Sequence, residues 1–243
     1  MDAEIVILPD PDVLAHEAAQ RFVTLAREAA GSRGRFSVAL SGGSSPGKLY
    51  RLLAEEPYRD QIPWEDVHLF WGDERCVPEG EADTNFSRAD EALISRVPVP
   101  PENVHLVRGD LAPEGAARAY DLEVQDFFCG PHARFDLILL GLGEDGHTAS
   151  LFPGSPVLAE RKRLVAAATA EYKDRPTQRV TLTLTAINSA RQVLFLVSGS
   201  AKAAIVQAAL EGAGKDLPAR QVQPVAGRLT WLLDAEAARL IAT

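Results

Sequence analysis

Leu137-Ile138-Leu139-Leu140-Gly141-Leu142-Gly143-Glu144-Asp145-Gly146-His147 is the stretch whose reading decides the fold. Its first four residues are apolar without alternation, the pattern of a strand covered by helices on both faces. The glycines that follow suit a tight exit from the strand's carboxyl end. Strands buried on both sides belong to parallel sheets, whose crossovers are usually helices.

Working outward, that order recurs along the chain. Further strands are predicted at 4–8, 36–40, 67–71, 104–107, 164–168, 180–184, 192–197 and 229–233. The first helix is predicted to start at Asp10-Pro11, a cap followed by a proline tolerated in the first turn, and to stop at Gly31. Others are predicted at 46–54, 85–96 and 200–210, with a short one at the C-terminus. One more, at 113–128, aligns Ala116, Ala119, Tyr120, Val124 and Phe127 along one side. The repeated strand-then-helix order predicts an α/β fold, doubly wound around a mostly parallel sheet with helices on both faces. No repeat, low-complexity tract or clear linker interrupts residues 1–243, so a single domain is expected.

Composition narrows the function. The chain is ordinary globular material, 46% hydrophobic and 24% charged, with a net charge of -9 and a pI near 5.1. An acidic surface without basic runs does not suit nucleic acid. The apolar runs are far too short to span a bilayer. Two cysteines, Cys76 and Cys129, do not make a disulfide framework, and residues 1–10 lack the basic and apolar regions of a signal peptide. A cytoplasmic protein is expected.

Two glycine motifs look more familiar than they are. Gly42-Gly43-Ser44-Ser45-Pro46-Gly47-Lys48 fits a nucleotide-binding loop until Leu49, where Ser or Thr must hold magnesium; Pro46 also removes a donor. Gly42, Gly43, Ser44 and Ser45 instead present N–H and hydroxyl donors at a helix start, a site suited to one phosphate. Gly141-Leu142-Gly143-Glu144-Asp145-Gly146 matches a dinucleotide fingerprint, but its two acids would face a pyrophosphate. Pro153, Gly154 and Pro156 interrupt the helix that should follow.

Chemistry concentrates at predicted strand ends, where ligands of such folds bind. His147, two residues after Asp145, is a candidate general base with a carboxylate to orient it; a surface histidine on a loop is the plain alternative. Asp73-Glu74-Arg75 follows another strand, and Arg75 is a candidate for stabilising developing negative charge. Arg179 and Lys202 are candidate phosphate partners, although each alone also reads as a surface charge. His16, His68, His105 and His132 read as structural, and Cys76 as an inert small thiol. No Cys/His cluster has zinc spacing.

Taken together, Ser41-Gly42-Gly43-Ser44-Ser45-Pro46, Gly72-Asp73-Glu74-Arg75, the segment 141–153, Arg179-Val180-Thr181 and Ser198-Gly199-Ser200-Ala201-Lys202 resemble the 6-phosphogluconolactonases of the pentose phosphate pathway, within the glucosamine-6-phosphate isomerase/6-phosphogluconolactonase family. The resemblance covers essentially the whole chain, with 143–153 its most specific part. Ser45 departs slightly, since the loop usually has Thr there.

The resemblance implies a Rossmann-like fold and hydrolysis of 6-phosphoglucono-1,5-lactone without a cofactor or metal. His147 is then the base, Arg75 stabilises the oxyanion, Ser44, Arg179 and Lys202 hold the phosphate, and Asp73 and Asp145 line the site, as do Asn85 and Phe86. It further implies a small-molecule sugar-phosphate partner and a monomer or weak homo-oligomer. The glucosamine-6-phosphate deaminases share the Ser-Gly-Gly loop. They usually carry Tyr where this chain has Arg75, and Phe-Asn-Glu-Pro where it has Ala149-Ser150-Leu151-Phe152-Pro153.

Overall fold

A computed structural model describes residues 3–77, 84–170, 177–212 and 216–242; Met1, Asp2 and Asp83 lie outside them. The strands are β1 (Glu4–Leu8), β2 (Phe36–Leu40), β3 (Val67–Trp71), β4 (Asp73–Arg75), β5 (Leu137–Leu140), β6 (Val165–Thr169), β7 (Gln178–Leu182), β8 (Gln192–Val197) and β9 (Arg228–Asp234). The helices are α1 (Pro11–Arg33), α2 (Ser44–Leu53), α3 (Asn85–Ala92), α4 (Pro113–Phe127), α5 (Leu184–Ile187), α6 (Ala203–Glu211) and α7 (Ala235–Ala238).

Six strands form one parallel sheet in the order β1-β9-β8-β5-β2-β3. Successive side chains point to opposite faces of a strand, and the central strands show it. Ala39, Ile138, Leu140, Phe195 and Trp231 enter a core shared with α4 and α6. Val38, Leu40, Leu137, Leu139 and Leu194 enter the other, beneath α1, α2 and α3. All of β2 and β5 is buried, which accounts for the unalternating LILL run. The fold is doubly wound α/β.

The chain leaves β2 toward β3 and leaves β5 toward β8 and β9. The order therefore reverses between β2 and β5, the topological switch point where ligands of such sheets bind.

Several expectations need correction. The run at 164–168 forms a strand and 180–182 lies in another, while Thr183 caps α5 and Leu184 starts it; but β7 pairs antiparallel with both β6 and β4, in a separate three-stranded sheet. Residues 104–107 form no strand; Val104 makes one bridge to Leu69, so His105 sits beside the sheet. Helix α1 runs past Gly31 to Arg33, where Gly34, at φ 69°, supplies the left-handed cap. The helix expected at 85–96 breaks at Leu93 and resumes as a single 3₁₀ turn, Ile94–Arg96. Residues Ser200–Lys202 likewise form a 3₁₀ turn before α6.

Candidate active site

A cavity of about 320 Å³ opens at the switch point, large enough for a small polar ligand. Its walls come from the ends of β2, β5 and β8 and from β4 and α3: Gly42 to Ser45, Asp73, Arg75, Asn85, Arg88, Gly143, His147, Ser198 and Lys202 all reach it.

The loop after β2 forms one wall. Tyr50, fully buried on α2, receives the N–H of Ser41 at 2.9 Å and donates to the Ser41 carbonyl at 2.7 Å. That pair of hydrogen bonds fixes where the loop leaves the sheet; burial also pushes the Tyr50 phenol well above its usual range. The N-cap of α2 is Gly43, at φ 113°, so no side chain caps the first turn. Its N–H groups open toward the cavity, with the positive end of the helix dipole behind them. Ser45 Oγ lies 2.7 Å from Ser198 Oγ, tying this loop to the end of β8, just ahead of Lys202.

The loop after β5 forms the opposite wall. Gly143 N–H donates to the His147 carbonyl at 2.8 Å and Gly146 N–H to the Gly143 carbonyl at 3.0 Å. This tight turn holds Asp145 and His147 together. The backbone N–H of His147 donates to Asp145 Oδ1, and the ring Nδ1 lies 2.5 Å from the same oxygen. Burial pushes the Asp145 carboxyl up, but the backbone N–H, the charge and the ring hydrogen bond of His147 outweigh it, and the net shift is downward. The ring also packs on Phe152, with centroids 4.9 Å apart. Ala149, at φ 48°, is a non-glycine residue in the left-handed region, a position held by its surroundings.

Strand β4 connects the two walls. Ser150 donates to Asp73 Oδ2 at 2.6 Å, and Asn85 donates to the Asp73 carbonyl at 2.8 Å. Asp73 is therefore held from both sides, and Asp145, rather than Asp73, is the carboxylate that contacts His147.

Most of the residues singled out in the sequence thus converge: Gly42, Gly43, Ser44, Ser45, Asp73, Arg75, His147 and Lys202 line one cavity, and Asp145 backs His147. Arg179 does not line it. It sits on β7 directly opposite Arg75, on the same face of that sheet, and is 4% exposed, so it lies beside Arg75 without forming part of the cavity wall. Sequence reasoning missed Arg88, although its place one helical turn after Asn85 puts the two on one face. It also assigned no role to Ser150 and Ser198, whose partners lie 77 and 153 residues away, or to Glu74.

Cys76 is half-buried, and burial raises its thiol, which disfavours a nucleophile. His68 and His105 stack in an aromatic cluster with Phe70 and Phe127, away from the cavity. Among the described residues no group of three metal-ligating side chains converges, and no helix is long and apolar enough to cross a membrane.

Comparison with known proteins places these features. Residues 9–231 match the family model of glucosamine-6-phosphate isomerases/6-phosphogluconolactonase. The chain is 41% identical to a 6-phosphogluconolactonase of Synechocystis sp., covering 98% of each chain. It is 40% identical to one of Streptomyces coelicolor, covering 97% of this chain and 93% of the other. The solved 6-phosphogluconolactonase of Trypanosoma brucei superposes with a TM-score of 0.87 at 30% identity, covering 99% of both. A monomeric glucosamine-6-phosphate deaminase superposes with a TM-score of 0.82 at 22% identity and shares the fold alone. By sequence and by structure, the chain belongs to the glucosamine-6-phosphate isomerase/6-phosphogluconolactonase family.

Proposed function

We propose that the protein hydrolyses 6-phosphoglucono-1,5-lactone to 6-phosphogluconate, the lactone-opening step of the oxidative pentose phosphate pathway. The observation that carries this reading is His147, backed by Asp145, sharing one cavity with a phosphate-sized donor loop and three cations, Arg75, Arg88 and Lys202. Relatives about 40% identical over their whole length carry the same activity in their names.

The geometry supports the following mechanism. The phosphate docks on the N–H and hydroxyl groups of Gly43, Ser44 and Ser45 with Lys202, so its binding orients the ring. Arg179, beside Arg75 across the β4–β7 pair, adds positive charge near the site without touching the phosphate. Asp145 accepts from Nδ1, which makes Nε2 the basic atom of His147. Nε2 takes a proton from water as the oxygen attacks C1, and Arg75 stabilises the oxyanion that forms. The tetrahedral intermediate collapses by breaking the bond between C1 and the ring oxygen. The imidazolium returns its proton to that oxygen, which becomes a hydroxyl, and the new carboxylic acid ionises. Asp73, held by Ser150 and Asn85, accepts hydrogen bonds from sugar hydroxyls. No step requires a cofactor or a metal.

We further propose that residues 1–243 act as one domain, since the second sheet shares its core with α4. A monomer or weak homo-oligomer is proposed as the working unit. The two free thiols and the composition support a cytoplasmic setting.

The test generates fresh lactone by oxidising glucose 6-phosphate and follows acid release in a pH-stat, with and without the protein. Release well above the spontaneous rate supports the reading; a rate equal to the control, or ammonia released from glucosamine 6-phosphate, overturns it.

A further inference from the structure

Glu74 is a buried acid that the reaction above leaves unused. Alternation along β4 turns Asp73 and Arg75 to the cavity and Glu74 to the other side, where it is 4% exposed. A carboxylate buried to that degree needs partners, and three backbone N–H groups supply them. Oε1 accepts from Arg75 at 2.7 Å and from Asn85 at 2.8 Å; Oε2 accepts from Phe86 at 2.7 Å.

Asn85 and Phe86 are the first two residues of α3, so two of the donors left over at that helix's start are taken by Glu74. The negative charge also sits at the positive end of the helix dipole. Burial pushes the Glu74 carboxyl up, and the N–H groups oppose it.

We propose that Glu74 is a positioning residue, locking β4 to the start of α3 so that Asp73, Arg75, Asn85 and Arg88 form one rigid wall of the catalytic cavity. Tolerances at this wall are small. Asn85 donates to the Asp73 carbonyl and to its carboxylate, at 2.8 and 3.3 Å. On its other side it fits over Gly42, where an added Cβ would fall 2.2 Å from Asn85 Oδ1. A small shift of α3 therefore disturbs both the phosphate loop and Asp73. Glu74→Gln keeps the size but turns an NH₂ group toward backbone N–H donors, which drives that shift.

The proposal rests on the lactonase reading, so the experiment has two arms. Steady-state kinetics on fresh lactone compares wild type, Glu74→Gln, Asn85→Ala and the double variant. Amide hydrogen exchange follows residues 85–92. Glu74→Gln should lower kcat/KM by roughly 10- to 100-fold, the scale of a small misplacement, and should speed exchange in α3 while the main sheet stays protected. Because both substitutions act on one wall, the double variant should lose at least about threefold less than the product of the single losses.

A folded Glu74→Gln with kcat/KM within about twofold of wild type, unchanged α3 exchange, or fully multiplicative losses overturns the proposal. If Glu74→Gln does not fold, Thr84→Val takes its place. It removes the other cap of α3, the Thr84 hydroxyl that accepts from the Ser87 N–H at 2.9 Å, and is read by the same criteria. A wild type inactive on the lactone sinks the functional reading, while the exchange arm still decides whether Glu74 holds α3.

Discussion

At the residue scale, Gly143 leaves no room for a side chain beside the histidine–carboxylate pair. A Cβ there would lie 2.0 Å from His147 Nδ1 and 2.6 Å from Asp145 Oδ1. Gly143→Ala should therefore push the pair apart and lower kcat by roughly 10²-fold or more in a protein that still folds, as judged by circular dichroism. Asp145→Asn tests the same pair by chemistry: the neutral amide no longer stabilises the imidazolium that His147 becomes. Its kcat should fall by about 10²–10⁴-fold, with binding of 6-phosphogluconate nearly unchanged in calorimetry. Both residues were legible in the sequence because the pair is local, two positions apart after a strand. Ser150 and Glu74 were not, because Ser150 holds Asp73, 77 residues away, and Glu74 holds the start of α3, 11 and 12 residues on.

At the scale of elements, the parallel strands were legible because burial on both faces writes itself into composition, as in β2 and β5. The sheet that each strand joins was not. β6 and β7 read as ordinary apolar runs, and only their long-range pairing with β4 separates them from the main sheet. The mistaken strand at 104–107 has a related cause: only Val104 bridges to β3, at Leu69, while Leu106 is exposed. That edge carries a pH response. His68, on β3, lies 3.1 Å from His105 Nε2 and packs on Phe127. Burial first, then the charges of His105 and Arg35, push His68 from 6.5 down to about 4, with Asp66 opposing. The folded state thus disfavours a proton that the unfolded chain accepts. The stability held above pH 6.5 should fall as the pH drops toward 4. His68→Phe should flatten the thermal midpoint across that window; an unchanged slope would show that another group carries it.

At the scale of the whole molecule, two cores hold the switch point rigid, one on each face of the sheet. Phe70 is fully buried among His105, Phe127 and Phe135, and it lies two residues before Gly72, where the chain turns into β4. Phe70→Ala should cost about 3–5 kcal/mol in urea unfolding, and activity should fall with the folded fraction. The doubly wound architecture and the loops that face the cavity followed from the order of strands and helices alone. The place of Arg179 did not, since register between β4 and β7 decides it.

The central claim is that His147 is the base that activates water in this cavity. Its most direct test is turnover of fresh 6-phosphoglucono-1,5-lactone by purified His147→Ala, followed in a pH-stat beside wild type, with calorimetric binding of 6-phosphogluconate as the control. A fall in kcat of about 10²–10⁴-fold with binding retained is the predicted result; full turnover by the variant would contradict it.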